Sequence, residues 1–205
     1  MRKRLAAMTI ILGLGGSLRD GSATSVALKI ALTGAESVGA RIQHVDLATL
    51  NLPMFRGTYT FEGYTRQERD TLEAYFETVE GADGLILASP TYHNTISGAV
   101  KNALDLLEIE REDLPSRLAG KVVGLVTVQG GSSGTGVNTL TTMLLATRAM
   151  GAWVSPTMVS VPSSRRAFDD GRATNESIEA RLRGLGAEVA QASVVWSQRA
   201  AIQQE

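Results

Sequence analysis

The sequence predicts a doubly wound α/β fold, a five-stranded parallel sheet with helices on both faces. Three observations carry that expectation. Strand-length and helix-length segments alternate about five times along the 205 residues, and such alternation closes into a parallel sheet covered on both sides. The run Met8 to Leu14 is β-branched and apolar on both faces, as a strand buried inside a parallel sheet is. Loops rich in glycine or marked by proline follow the first, third and fourth strands, at the sheet edge where open α/β folds bind ligands. No repeat, low-complexity tract or linker divides the chain, so residues 1–205 are expected to form one domain. Residues 1–7 and 199–205 are its expected flexible ends.

The elements follow in order. The first strand breaks at Gly13-Leu14-Gly15-Gly16, and a helix runs from about Ser22 to Val38 with Val26, Ala27, Ile30 and Ala31 inward and Gly39 as its stop. The second strand, Arg41 to Leu47, alternates Ile42, Val45 and Leu47 with Gln43, His44 and Asp46, the pattern of a strand near an edge. That places His44 in solvent. Asp46 sits where a dinucleotide fold has its ribose-binding acid, but the glycine fingerprint is missing and a structural role is preferred. Leu50 to Tyr59 reads as a long loop that borders a site or touches a partner subunit. A helix over Arg66 to Glu80 buries Leu72, Tyr75, Phe76 and Val79.

The third strand, Asp83 to Ser89, ends at Ser89-Pro90-Thr91-Tyr92-His93-Asn94. The next helix, Ser97 to about Glu108, has Ala99, Ala103, Leu104 and Leu107 on its apolar face and Lys101 and Asp105 as an i,i+4 pair. The fourth strand, Val122 to Val128, leads into Gln129-Gly130-Gly131-Ser132-Ser133-Gly134-Thr135-Gly136. A helix from about Val137 to Met150, a fifth strand from about Ala152 to Val161 and a helix from about Asn175 to Gln198 complete the chain. Ile178, Leu182, Leu185, Val189 and Ala192 line the last helix, and Trp153 and Trp196 are expected in the core or an interface. Ser163-Ser164-Arg165-Arg166 puts two guanidinium groups on the loop-rich side of the sheet, where they meet a nicotinamide cofactor's phosphates or face water.

The first loop is the sharpest feature. Glycines 13, 15 and 16 allow close backbone approach, Ser17, Ser22, Thr24 and Ser25 supply hydroxyls, Arg19 adds a fork of donors, and the helix start points its free N–H groups at the same spot. An anion belongs there. Counted from Gly13, the dinucleotide pattern G-x-G-x-x-G ends on Leu18 and fails. The Walker A pattern finds Gly16 and Gly21 but meets Ser22-Ala23 where Lys-Ser/Thr is required. Without the lysine and the magnesium-binding hydroxyl, the loop suits a terminal phosphate monoester better than a triphosphate. After the third strand, Pro90 sets a turn and Tyr92 offers a flat face to a ring. Four glycines in the eight residues after the fourth strand let backbone pass close to something flat. The three loops together describe a site for a phosphorylated, flat ligand.

Composition removes other classes. The net charge of −1 argues against a nucleic-acid partner. The absence of cysteine excludes disulfides, iron–sulfur clusters and thiol chemistry, and His44 and His93 alone make no convincing metal site. Redox work would need an organic cofactor. Arg2-Lys3-Arg4 followed by Leu5 to Leu14 imitates a secretory signal. The same run is needed as the first strand, and it is shorter than the ~20 residues of a membrane span, so a cytoplasmic location is expected, with no membrane partner.

The chain resembles the NAD(P)H-dependent FMN reductase family of the flavodoxin-like superfamily. The matching motifs are Gly16-Ser17-Leu18-Arg19-x-x-Ser22, Pro90-x-Tyr92-His93, Ser97-Gly98-x-x-Lys101-Asn102-x-x-Asp105 and Gly130-Gly131, covering roughly Met8 to Met150. The resemblance implies a flavodoxin-like fold and FMN with NADPH or NADH as cofactors. It implies phosphate contacts from Ser17, Arg19, Ser22, Thr24 and Ser25, ring and ribityl contacts from Pro90, Thr91, Tyr92, His93 and Asn94, and ring-edge contacts from Gln129, Gly130 and Gly131. Relatives often carry Asn two or three residues after the loop serine; Ala23-Thr24 stands here. The implied reaction passes hydride from nicotinamide to flavin N5 and electrons onward to a flavin, quinone, azo compound or chromate, with no catalytic acid or base. An enzyme that retains FMN as a quinone or azo reductase is the alternative, and a non-enzymatic electron carrier is the alternative from another class. Related enzymes also imply a homodimer or homotetramer, with the loop around Met54 and Phe55 and the helix after Gly98 as contact surfaces.

Overall fold

A computed structural model describes residues 8–132 and 134–202. The chain forms β1 (Ile10–Gly15), α1 (Ala23–Ser37), β2 (Arg41–Asp46), α2 (Leu47–Leu50), α3 (Arg66–Glu80), β3 (Gly84–Pro90), α4 (Gly98–Leu106), β4 (Val122–Val128), α5 (Gly136–Ala149), β5 (Trp153–Val161), α6 (Ser164–Ala167), the hairpin strands β6 (Phe168–Asp169) and β7 (Arg172–Ala173), and α7 (Glu176–Ile202). The five long strands are parallel in the order β2-β1-β3-β4-β5. Strand order reverses beside β1, whose neighbours β2 and β3 are reached in opposite directions, and this opens a crevice at the carboxyl ends of β1 and β3.

Period-two alternation sorts the central strands between two cores. Leu12, Leu14, Leu85, Leu87, Val123 and Leu125 pack with residues of α3, α4 and α5 on one face. Ile11, Ile86 and Val126 pack with α1 and α7 on the other. Strands β3 and β4 are buried along their whole length, while β2 is partly exposed, as its alternating pattern predicts. His44 is exposed, and Tyr75 and Phe76 are in the core.

Several expectations change. The loop expected over Leu50 to Tyr59 is preceded by the one-turn helix α2, capped by Asp46, whose Oδ1 accepts from Ala48 N at 2.9 Å. Asp46 therefore has a structural role. The following segment is pinned by Asn102 of α4, which accepts from Phe55 N (2.8 Å) and donates to the Pro53 carbonyl (2.9 Å). Trp153 is half exposed on the edge strand β5, so it is no core residue; it packs on Trp196 of α7 with ring centroids 4.2 Å apart. Lys101 and Asp105 form an exposed pair at 2.7 Å. Of the expected flexible ends, residues 1–7 and 203–205 lie outside the described residues, whereas 199–202 continue α7.

At the end of α4 away from the crevice, the buried Arg117 donates to the carbonyls of Leu107 (2.6 Å) and Ile109 (2.7 Å) and lies 3.7 Å over the Phe76 ring. Burial pushes its pKa down, and the neighbouring Arg111 adds to that, while Glu80, 3.0 Å from Nε, opposes it. On the opposite face, α1 and α7 approach through Gly34 and Gly186. A Cβ at Gly34 would collide with the Arg183 backbone, and one at Gly186 with the Ala31 carbonyl.

That contact decides the sign of a substitution. Gly34→Ala in mid-helix favours folding by about 0.5–1 kcal/mol through backbone entropy, but the clash is with backbone that cannot rotate away, and overpacking costs about 1–3 kcal/mol. The expected outcome is a net loss, read as a Tm lowered by several degrees in thermal unfolding; an unchanged or raised Tm would contradict the close approach.

Candidate active site

The loop after β1 is held down from two sides. Gly16 N donates to the Ala88 carbonyl at the end of β3 (2.8 Å), and Ser97 Oγ donates to the Gly16 carbonyl (2.7 Å) while accepting from Val100 N (3.2 Å) as the N-cap of α4. A Cβ at position 16 would collide with Val100 and stand 2.9 Å from the Ala88 oxygen, so glycine is required there. Ser22 caps α1, accepting from Ser25 N at 3.1 Å, and its Oγ lies 2.9 Å from Ser25 Oγ. One hydroxyl of that pair donates to the other, which leaves one proton spare.

A cavity of about 230 Å³ opens above this loop at the crevice. Ser17, Arg19, Ser22, Ala23 and Thr24 line it from the β1 side, Pro90, Thr91 and Tyr92 from the β3 side, and Val128, Gly130, Ser164 and Arg165 from the loops after β4 and β5. Eight of the thirteen residues expected to bind the cofactor are thereby brought together. Ser17 and Thr24 are both 3% exposed. Ser17 Oγ accepts from Arg19 N (3.3 Å), and its proton has no acceptor among the described residues. The Thr24 hydroxyl and the N–H groups of Ala23 and Thr24 likewise have no partner there. No carboxylate lies within 4 Å of the Arg19 guanidinium among the described residues. Donors that line a cavity without protein acceptors are free to bond the oxygens of a ligand. A phosphate monoester fits this set.

Five expected residues do not line the cavity. Ser25 is engaged with Ser22 beneath the helix start. His93 (φ 49°) and Asn94 (φ 65°) form the tip of a tight turn closed by Tyr92 N to Thr95 O (3.0 Å) and Thr95 N to Tyr92 O (3.1 Å). Two successive left-handed residues make a turn of the I′ kind, and its product is the placement of Tyr92, 53% exposed on the rim. Gln129 is buried and holds its own loop: Oε1 accepts from Thr135 Oγ1 (3.0 Å), and Nε2 donates to the Gly131 carbonyl (3.3 Å). Gly131 supplies that carbonyl and another contact, from Ser163 N at 2.9 Å.

Thr91 lines the cavity, but its proton is committed. Thr127 Oγ1 donates to the Ser89 carbonyl (3.0 Å), so it accepts from Thr91 Oγ1 (2.9 Å), and Thr91 in turn accepts from Thr139 Oγ1 (2.9 Å). The chain runs one way, Thr139 to Thr91 to Thr127 to Ser89. Thr91 N also donates, to the Val128 carbonyl at 2.9 Å. Val128, Ala23, Ser164 and Arg165 were not expected among the flavin residues. The serine and arginine follow β5 at the same sheet edge, which is the signal that identifies them; Ala23 and Val128 carry none.

Several known proteins resemble this chain. An NADPH azoreductase of Bacillus sp. is 36% identical over 98 residues, 48% of this chain and 48% of the relative. An NAD(P)H-dependent FMN reductase of Pseudomonas aeruginosa is 30% identical over 125 residues, 61% of this chain and 62% of the relative. The matched stretch spans about half to just under two thirds of these curated relatives. Among solved structures, the flavoenzyme NAD(P)H:(acceptor) oxidoreductase FerB of Paracoccus denitrificans aligns over 94% of this chain and 98% of its own, with a TM-score of 0.71 at 18% identity. The apo form of an NADH:FMN oxidoreductase aligns over 90% of each chain with a TM-score of 0.67 at 19% identity. These two establish the shared fold, and a family model described as NADPH-dependent FMN reductase matches residues 9–165, from β1 through the loop after β5. The chain belongs to the NADPH-dependent FMN reductase family.

Proposed function

We propose that this protein is an NAD(P)H:flavin oxidoreductase that takes FMN at the crevice between β1 and β3. One observation carries the reading: donors without protein acceptors (Ser17, Thr24, the first N–H groups of α1 and Arg19) converge on one cavity, and Pro90, Tyr92 and Gly130 form the wall on which a flat ring rests. FMN, when bound, supplies hydride acceptance at its ring and electron delivery to a second substrate.

The protein's own work is binding and orientation. Ser17, Thr24 and the α1 amides hold the phosphate through hydrogen bonds, and Arg19 adds a charge-assisted one. Pro90 and Gly130 bring little side-chain bulk to their part of the wall, and the exposed Tyr92 borders the rim where a nicotinamide ring stacks at near-attack distance. No side chain needs to act as acid or base. The reductant is NADPH or NADH, and the acceptor is free FMN, a quinone, an azo compound or chromate. The azoreductase among the relatives favours the second form of the reading, in which FMN is retained and azo or quinone compounds are reduced. The net charge of −1 offers little docking charge for a pure electron carrier.

Two further properties complete the proposal. A groove of about 390 Å³ lined by Leu18, Leu47, Leu52, Met54, Ala99 and Asn102 adjoins the phosphate loop, and Met54 is largely exposed there. This is the surface on which we place the contact of a homodimer or homotetramer. We also assign the enzyme to the cytoplasm, where nicotinamide nucleotides are supplied; no described helix is long and apolar enough to cross a membrane.

Purified protein titrated with FMN and then with NADPH under anaerobic conditions should bind FMN and bleach its visible band. FMN that binds but resists NADPH and NADH indicates the carrier, and no binding at all refutes the proposal. Retention of FMN through purification separates a bound-cofactor reductase from one that releases it. The doubly substituted Ser17→Ala, Arg19→Ala protein loses a charge-assisted hydrogen bond of about 1.5–3 kcal/mol, so its FMN Kd should rise about 10- to 100-fold with the riboflavin Kd little changed. Equal losses for both flavins would remove the phosphate from this loop.

A further inference from the structure

We infer that Arg165, carried on the single turn α6 after β5, closes the phosphate site from the wall opposite Arg19 and selects for a phosphate monoester dianion; the inference rests on the FMN reading above. Arg165 and Ser164 line the same cavity as Ser17, Arg19 and Thr24, although they arrive from the far end of the sheet sequence. Like Arg19, Arg165 has no carboxylate within 4 Å among the described residues. Asp169 and Asp170 of the neighbouring hairpin line with it an adjacent cavity of about 240 Å³, and neither forms an ion pair with it.

Charge matching makes the second guanidinium useful. A phosphate monoester carries about −1.5 to −2 at neutral pH. The start of α1 offers roughly +0.5 and Arg19 +1, which leaves the dianion under-neutralised. Arg165 closes that gap.

The backbone around Arg165 is fixed before any ligand arrives. Ser163 takes a left-handed conformation (φ 53°) and donates its N–H to the Gly131 carbonyl (2.9 Å), and Ser164 N donates to the Gln129 carbonyl (2.9 Å). Arg166 N and Ala167 N both donate back to the Ser163 carbonyl, at 2.8 and 3.1 Å, and Ala167 is buried. The turn that carries Arg165 is thereby strapped to the glycine loop after β4. Arg166, its neighbour, is exposed as Arg165 is but lines neither cavity, so it serves as an internal control.

A phosphate monoester of this kind occurs at the end of FMN and as the 2′-phosphate of NADPH, and the cavity shared with Ser17 and Arg19 favours FMN. The test compares wild type, Arg165→Ala, Arg165→Lys and Arg166→Ala by FMN and riboflavin fluorescence titration, with Tm measured for each and the KM ratio of NADPH to NADH as a separate arm. Arg165→Ala should raise the FMN Kd about tenfold, leave riboflavin unchanged and leave the nicotinamide ratio unchanged. Arg165→Lys should recover part of the loss, and Arg166→Ala should behave as wild type. Wild type that prefers FMN while Arg165→Ala keeps the full preference overturns the inference alone; so does a change confined to the NADPH to NADH ratio, or an equal loss in Arg166→Ala. Wild type that binds neither flavin overturns the underlying reading instead.

Discussion

Everything at the crevice depends on one close approach, that of the Gly16 backbone to the end of β3 and the start of α4. The Gly16 N–H and carbonyl are both spent on this contact, on Ala88 and on Ser97. A side chain at position 16 has no room. With Gly16 seated, the chain leaves β1 in the one direction that lays Ser17 under the cavity and delivers Ser22 as the cap of α1. Ser97 links two jobs: it caps α4 and anchors the loop, so the helix that carries Asn102 and the loop that carries Arg19 are set by one hydroxyl. Asn102 extends the same frame to the segment after α2.

The second half of the cavity is built by strapping loops to one another. The β3 turn is tied to β4 by Thr91 N and by a row of threonine hydroxyls, and the β4 loop is tied to the turn after β5 by Ser163 and Ser164. Such ties keep long, glycine-rich backbone from sampling other shapes, whose entropy would otherwise be paid when a ligand binds. The scaffold beneath is stiff: β3 and β4 are buried throughout, and α1 and α7 meet through glycines.

Much of this was legible before the structure. The bounds of α3 and β4 were legible, because Leu72, Tyr75, Phe76 and Val79 repeat at helical spacing and Val122–Val128 is a run of β-branched and apolar residues interrupted only by Gly124. The loop after β1 stands out in the sequence because glycine, hydroxyl and arginine sit where a strand meets a helix. The hidden parts are tertiary. Nothing local marks Arg165 as lining the same cavity as Arg19, since that is a property of strand order. His93 and Asn94, expected as ring and ribityl contacts, are two left-handed residues in a row that form the bend after Tyr92, a conformation their residue types do not announce. Gln129 has the polarity of a ring-edge donor and turns inward to hold Thr135. Of the two places expected for Trp153, core or interface, the edge position of β5 removes the core, a fact of sheet order that its own sequence does not record.

The one-way threonine chain carries a chemical consequence for what the wall beside Pro90 accepts. Because Thr139 feeds Thr91 and Thr91 feeds Thr127, the Thr91 hydroxyl keeps lone-pair density and has no hydrogen to give. A ligand carbonyl set against it meets repulsion, whereas a hydroxyl or ring N–H finds an acceptor. The polarity of the Thr91 hydroxyl is set by a backbone carbonyl, that of Ser89, at the far end of the chain.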